Sequence, residues 1–589
     1  MKQEHNCLQL YKEISRRDKI VFAAVLLLIF AIFQFGIKQI CGFTFYPDEF
    51  GYWASAAKII GWDWSEIASL GSYYSFGYSI LLFPILYFSP NSVTAYQAAV
   101  FVNMLLMCIG YVLLCMLTEK LFGNMPRALR YLASGAAVLY PAWIFYMQTT
   151  LAEAVLLSLF IIVVCLFVSF IEKPRVLTGV LLTAILVYFY IVHMRTVGTI
   201  LACGITLFLW GIVHLQKRKY VFIVLGLAIT AFIGAFYIKE LVQQSVYVTA
   251  SAEELSVNDY AGKIGNVQYI FTAEGFGSLV SHIAGKVVYW GVASLGLAYW
   301  AFAWMIRQIV SLVKKIKSGQ DSVTSEWFAV FLLLASLAQI SISSIFYIHG
   351  KTLDLYMNGR YIDYLVPVLI MTGLYHLYMS ERRCGKTIIF CVIHIVLTVV
   401  TAVSIWNEET QRIRGYFQIG INWLLTGNAV DTRLHLIKIA CVGAVFLVFV
   451  AFLIWFVKKK EIYIWSFSLL MLVEMCIALV AGIQYSYYQN NYNYRELVLT
   501  DIVEEKCIPN AEIYYLDDGS AQWIDFIQMQ LREQRIKVVT EESFVQKSAD
   551  IDILFVANTE NNREKYSSQF DKCVEESLLI LLYNTEDER

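Results

Sequence analysis

Phe43-Thr44-Phe45-Tyr46-Pro47-Asp48-Glu49-Phe50-Gly51-Tyr52-Trp53 follows the apolar run 20–40 almost directly, and it sets two adjacent carboxylates where a chain would leave a bilayer. Acids at a membrane face are costly unless they are solvated, paired or working. The rings around them (Phe45, Tyr46, Phe50, Tyr52, Trp53) suit the interface, where an apolar body and a polar tip are both accommodated. Two readings follow. The acids sit in a solvated loop within an aromatic belt, or they are a general base or metal ligand in a site on the outer face. An Asp-Glu pair by itself fits the first; the remaining chain has to decide.

Across 589 residues, 59% are hydrophobic and 15% charged, a balance outside that of ordinary soluble domains. The charges fall in short clusters separated by apolar runs of roughly 20 residues, enough to cross about 30 Å of hydrocarbon. The chain therefore reads as an all-α polytopic membrane protein. A net charge of −1 argues neither for nor against a nucleic-acid or anionic-surface partner, and no nucleic acid is expected among the partners. The twelve cysteines show no CxxC or metal-ligand spacing, and most lie in apolar runs. Cys507 and Cys573 share the polar tail, and a disulfide between them stays open. The first apolar run has no small-residue cleavage site and reads as a retained anchor.

Basic clusters orient the spans. Lys2, Lys12, Arg16, Arg17 and Lys19 place the N-terminus in the cytoplasm, so segment 20–40 delivers Asp48 and Glu49 outside. The run 76–89 is short for a span. If it crossed, Lys120, Arg127 and Arg130 would lie outside; lying along the outer face, it leaves them inside. With that choice the crossings are 20–40, 95–118, 129–147, 150–171, 176–192, 197–215, 220–240, 287–312, 327–348, 361–380, 387–405, 434–457 and 461–485. These make about 13 transmembrane helices with outer-face juxtamembrane helices, and the later basic clusters (such as Lys217-Arg218-Lys219 and Lys458-Lys459-Lys460) fall on one side. Residues 1–486 form the membrane domain. Residues 487–589 are polar, with short apolar runs at 512–516, 536–539, 551–556 and 578–583 alternating with helical stretches such as 521–534. That alternation predicts a small parallel α/β domain, outside the cytoplasm.

Polar groups collect on the same outer side. Glu153 follows Gln148-Thr149-Thr150 at one turn, where it serves either as a favourable charge at a helix start or as a second carboxylate facing Asp48. His193 and Arg195 end segment 176–192; an arginine there reaches headgroups or a ligand. His349, Lys351, Asp354, Asn358, Gly359, Arg360 and Tyr361 follow segment 327–348. Three potentially cationic groups on a non-cytoplasmic loop run against the positive-inside trend; they contact lipid headgroups or form a phosphate site, and the second is favoured because arginine grips phosphate through a planar fork and lysine through a point charge. Carboxylates and phosphate-type cations on one face suit group transfer from a lipid phosphate. A carboxylate takes an acceptor's proton, and cations stabilise charge on the leaving phosphate.

These residues resemble the GT-C fold membrane glycosyltransferases, among them protein O-mannosyltransferases, the lipid A aminoarabinose transferase and oligosaccharyltransferase catalytic subunits. Tyr46-Pro47-Asp48-Glu49 is similar to the first-loop acidic motif. Tyr74-Ser75-Phe76-Gly77-Tyr78 resembles the aromatic surface helix, with Phe76-Gly77 in place of the usual proline. Pro141 followed by Glu153 resembles the second acidic position, and Gly359-Arg360-Tyr361 through Pro367 the late segment whose arginine contacts the carrier phosphate.

The resemblance implies a polyprenyl-phosphate-linked monosaccharide donor and inversion at the sugar. Asp48 would be the general base, Glu49 a supporting acid, Glu153 the group that positions acceptor or water, and Arg360 the phosphate ligand. From topology, Arg195, His349, Lys351 and Tyr361 join Arg360. Tyr46, Tyr52, Trp53, Tyr74 and Tyr78 are the expected acceptor pocket. No cofactor is required; a hard divalent cation would find its oxygen ligands in Asp48, Glu49 and Glu153. The expected partners are the bilayer, the lipid-linked sugar and an extracytoplasmic acceptor (protein, lipid or wall polymer). A transporter or flippase of lipid-linked glycans is the alternative, and would place ionisable groups at mid-membrane. Most spans lack them, Glu474 excepted. A polymerase or ligase of such glycans is a second.

Overall fold

The computed structural model describes residues 14–44, 47–71, 73–251, 255, 264–350, 352–381, 383–408, 420–421, 432–457, 459–507, 511–519 and 524–585. Among them nine helices are long and apolar enough to cross a bilayer, from Arg16–Gln39 to Lys460–Ile483. They make this a multi-pass membrane protein. Helix starts carry the caps expected of exposed N–H groups: Ser15, Asn91 and Thr272 each accept a backbone N–H from three residues on.

The remaining expected crossings are shorter, broken or bent, each for a local reason. Segment 129–147 is two helices, Arg127–Val138 and Ala142–Met147. Pro141 sits at the break, lacking the N–H that would continue the first helix. Val176–Val192 has 17 residues and Val366–Met379 has 14. Segment 287–312 is not one straight span. Helices Ala273–Ala293 and Leu297–Lys317 meet at 108°, because Leu295 (φ 53°) and Gly296 (φ 78°) both adopt the left-handed conformation.

Segment 76–89 forms the ten-residue helix Ser79–Phe88, and it does not cross. At its start Gly77 donates its N–H to the Ile191 carbonyl (2.7 Å). At its end Ser89 and Pro90 accept from Arg532 of the C-terminal domain. Ten residues rise about 15 Å, roughly half the hydrocarbon thickness, too short to cross. Gly77 is needed there: a Cβ would come within 2.4 Å of the Val192 nitrogen and 2.6 Å of the Ile191 oxygen.

The helix Lys460–Tyr494 runs past the expected end of its span and leads to the C-terminal domain. Glu496, buried just beyond it, accepts the N–H groups of Leu578 and Leu579 (2.8 and 3.0 Å) and so ties helix to sheet. The strands are β1 (Ile513–Leu516), β2 (Ile536–Val539), β3 (Ile553–Ala557), β4 (Lys572–Glu575) and β5 (Leu579–Tyr583), in the order β2-β1-β3-β5-β4. β2, β1 and β3 are parallel, as crossover helices require. β5 runs antiparallel to β3 and to β4, so the sheet is mixed rather than wholly parallel. β4 escaped the sequence because Lys572-Cys573-Val574-Glu575 is a polar, exposed edge with little apolar signal. Cys507 and Cys573 are free thiols.

Gly77→Ala should lower thermal stability by about 1–3 kcal/mol, since the clashing atoms are backbone and cannot swing aside. An unchanged melting profile in detergent would show that the 71–78 segment is not pinned to the end of Val176–Val192.

Candidate active site

The helix Pro47–Ile60 starts directly after the first span and carries Asp48 and Glu49 in its first turn. Adjacent residues leave a helix about 100° apart, and the two acids have separate lives. Glu49 is fully buried. Its Oε1 accepts from the Thr44 N–H (2.9 Å) and hydroxyl (2.6 Å). Its Oε2 accepts from the Tyr96 hydroxyl (2.5 Å) and from the Thr150 N–H and hydroxyl (2.9 and 2.8 Å). Five donors occupy both oxygens, so Glu49 is a fastener between the first outer segment and Thr150.

Asp48 instead forms an ion pair with Arg360. Arg360 Nε donates to Glu153 Oε1 at 2.5 Å, and Arg195 Nη2 donates to that same oxygen at 2.6 Å. Glu153 opens the helix Glu153–Glu172, Arg195 lies in the turn Met194–Thr196, and Arg360 follows the turn Leu353–Met357. Four segments distant in sequence thus bring together two carboxylates and two guanidiniums. The cluster is almost dry, with Glu153 and Arg195 exposed by 2% and 1%. Within it Glu153 Oε2 and the Nε and Nη1 groups of Arg195 have no hydrogen-bond partner. Buried donors left open cost free energy unless something binds there.

Tyr361 lies beneath Arg195, the guanidinium 4.6 Å from its ring centroid. The partly exposed His193 accepts the Arg195 N–H through Nδ1 (3.3 Å), which leaves its proton on Nε2. Withdrawal from water, reinforced by the neighbouring Arg195 charge, holds His193 well below its ordinary value of 6.5.

The other expected residues are spread unevenly. Tyr52 packs edge-on against Tyr74 (6.1 Å) and Tyr78 (5.7 Å). Trp53 is buried and donates to the Thr150 hydroxyl, while the Tyr78 hydroxyl donates to Asn103. Trp53 and Tyr78 are thus committed to protein partners. His349 is exposed, its ring 4.4 Å from that of Tyr269, and takes no part in the ion-pair cluster. Tyr46 and Lys351 lie outside the described residues.

Sequence reasoning missed Asp363. It is fully buried and accepts hydroxyls from Tyr140 (2.7 Å), Tyr146 (2.8 Å) and Tyr289 (2.8 Å). Its N–H also closes the turn onto the Gly359 carbonyl. An acid three residues beyond Arg360 was a usable signal; its tyrosine partners, 74 to 223 residues away, were not. Nor do the residues favour a metal. Glu49 is spent on five donors, Asp48 and Glu153 are paired with arginine, and no group of three His, Cys, Asp or Glu ligands occurs among the described residues.

The chain superposes on ArnT from Cupriavidus metallidurans bound to undecaprenyl phosphate at a TM-score of 0.52, over 96% of this chain and 98% of that one, with 12% identity. The chain has the GT-C fold. Weaker likenesses are to the archaeal oligosaccharyltransferase AglB from Archaeoglobus fulgidus (TM-score 0.42, 10% identity, 94% of this chain and 71% of that one) and to the arabinosyltransferase EmbB from Mycobacterium smegmatis (0.39, 10%, 96% and 45%). No protein-family model and no curated protein sequence matches. Glu153 opens and Glu172 closes one 20-residue helix, so the ion-pair cluster and the Lys120–Glu172 pair lie at its opposite ends.

Glu49→Gln should cost about 1–3 kcal/mol, because an amide NH₂ would confront N–H and O–H donors. Equal stability of variant and wild type in urea or heat would show that Glu49 is not a fastener. For His193, an unfolded-state value above the folded one means the unfolded chain takes up the extra proton. Its stabilising contribution is therefore complete above pH 6.5 and declines as pH falls below it. His193→Asn should remove that decline, so the stability gap between wild type and variant narrows on acidification; a gap constant from pH 7.5 to 5 would contradict it.

Proposed function

We propose that this protein is a glycosyltransferase that moves a monosaccharide from a polyprenyl-phosphate carrier to an extracytoplasmic acceptor, with inversion at the anomeric carbon. The observation that carries the reading is the dry cluster of Asp48, Glu153, Arg195 and Arg360, with two buried guanidinium N–H groups of Arg195 open to an oxyanion. The GT-C fold it shares with an ArnT bound to undecaprenyl phosphate supports the carrier class. Basic clusters on one side of the spans support a cytoplasmic N-terminus, with the cluster and C-terminal domain outside.

The chemistry divides among the four groups. Arg195 keeps its charge and open N–H donors at Nε and Nη1, either of which can donate to a phosphate oxygen. Arg360 is shared between Asp48 and Glu153, so a phosphate that draws Arg360 toward itself frees the Asp48 carboxylate. Asp48 then accepts the proton of the acceptor hydroxyl as the acceptor oxygen bonds to the anomeric carbon. The bond from that carbon to the phosphate oxygen breaks, its electron pair stays on the phosphate, and the two guanidiniums stabilise the added charge. Glu153 keeps the two arginines side by side. A metal would have to displace Arg360 from its carboxylates, and no step is assigned to one.

Turnover of radiolabelled polyprenyl-phosphate hexoses in membranes tests this. Asp48→Asn keeps shape and removes basicity; loss of about 10²-fold or more in rate is expected with donor affinity retained. Transfer near the wild-type rate would remove Asp48 from the reaction. Arg360→Lys keeps the charge and loses the fork, so donor KM should rise about tenfold. An unchanged KM would put the phosphate elsewhere.

A further inference from the structure

The C-terminal domain touches the membrane domain at the segments that flank the Asp48 helix. Trp64, buried at 2% exposure, donates its indole N–H to the Arg532 carbonyl (2.8 Å). The Arg532 guanidinium reaches the Ser89 and Pro90 carbonyls (2.6 and 2.9 Å) at the end of Ser79–Phe88. Arg535 bridges Asp63 (3.0 Å) and Glu66 (2.6 Å). Glu66 also accepts the N–H of Val538 at 2.6 Å. That last bond is informative: β2 is an edge strand, and Glu66 occupies one of the backbone donors such an edge leaves open. The domain is thus finished by a side chain of the membrane domain.

The grip is passed inward through rings. Trp64 stacks on Phe50 at 5.6 Å and 10°, and Phe50 is two residues from Asp48. Phe526 of the domain packs on Phe43 at 5.6 Å, and Phe43 meets Phe50 edge-on at 6.1 Å. Phe50 is therefore held from both sides by rings that the domain holds. These contacts reach the Asp48 side of the cluster, whereas Arg195 and Arg360 come from other segments.

The geometry points to the C-terminal domain as a clamp that fixes the Asp48 helix, with Arg535 a positioning residue acting through Asp63, Glu66 and Trp64. The clamp sets where the carboxylate stands. It rests on the proposed function for its kinetic consequence only. A base displaced by about 1 Å loses rate steeply while donor binding survives.

The test uses the full chain in detergent or nanodiscs. Arg535→Glu faces two carboxylates with a third and should release the domain; Arg535→Lys keeps the charge. Hydrogen exchange reads the position of the helix, and turnover of polyprenyl-phosphate hexoses reads its effect. For Arg535→Glu, exchange over residues 47–60 should quicken at least tenfold, and kcat should fall at least fivefold with donor KM within twofold. Arg535→Lys should restore both. The clamp is overturned if Arg535→Glu loosens residues 62–66 while exchange over 47–60 stays at the wild-type rate, or if exchange changes nowhere. Loss through KM alone overturns the positioning role. If wild type transfers no sugar from any such donor, the proposed function falls, and exchange over 47–60 still decides whether the domain clamps the helix.

Discussion

One carboxylate oxygen of Glu153 receives two guanidinium groups, and the site depends on that contact. Two cations about one atom repel, and both arginines are almost wholly removed from water. Breaking a buried pair by removing one partner costs about 3–5 kcal/mol, most of it the stranded charge. Glu153 therefore cannot be a mere helix-start charge. It is what permits Arg195 and Arg360 to stand together, and Asp48 completes the balance at two negative and two positive groups. Neutrality lets the cluster persist in a dry setting. What it leaves unfinished are the Nε and Nη1 donors of Arg195 and the second oxygen of Glu153.

Two further acids hold that arrangement without joining it. Glu49 fastens the start of the Asp48 helix to Thr150. Asp363 fastens the Arg360 turn to Tyr140 and Tyr146. Both fasteners end on the segment 140–153, which is broken at Pro141 and closes with Glu153 itself. The break gives up a continuous span and gains a rigid platform on which both halves of the cluster are hung. Pre-organisation of this kind lets charges stabilise a reaction without moving during it. Trp53, which also bonds Thr150, belongs to the same platform.

Sequence carried the fold's outline well, because spans announce themselves by apolar length and basic ends. It read the run 76–89 as one that does not cross, from its shortness and from the placement of Lys120, Arg127 and Arg130. It was silent wherever tertiary geometry bends a span: the left-handed pair Leu295-Gly296 sits in an otherwise helical apolar pattern. For the site, Asp48, Glu153, Arg195 and Arg360 stood out because charge at a span's end is rare and expensive. The resemblance set Asp48 ahead of Glu49, but only the fold shows that Glu49 faces five donors. His349 stood out for the same reason as Arg360, yet its side chain is exposed beside the ring of Tyr269, away from the cluster.

A full-length superposition at 12% identity follows from the same economics. Lipid-facing positions such as Leu177, Leu201, Ile229 and Val445 need only be apolar, and many residues satisfy them. Sequence can therefore drift across most of each span without disturbing the fold. The cluster tolerates no such exchange: a guanidinium supplies a fork that an ammonium lacks, and a carboxylate moved by one turn leaves a buried cation unpaired. Specificity in this chain is thus written in a few charged residues at helix ends and in the acids, tyrosines and domain contacts that hold them still. The apolar remainder decides that there is a bundle, and these residues decide the geometry at its charged end.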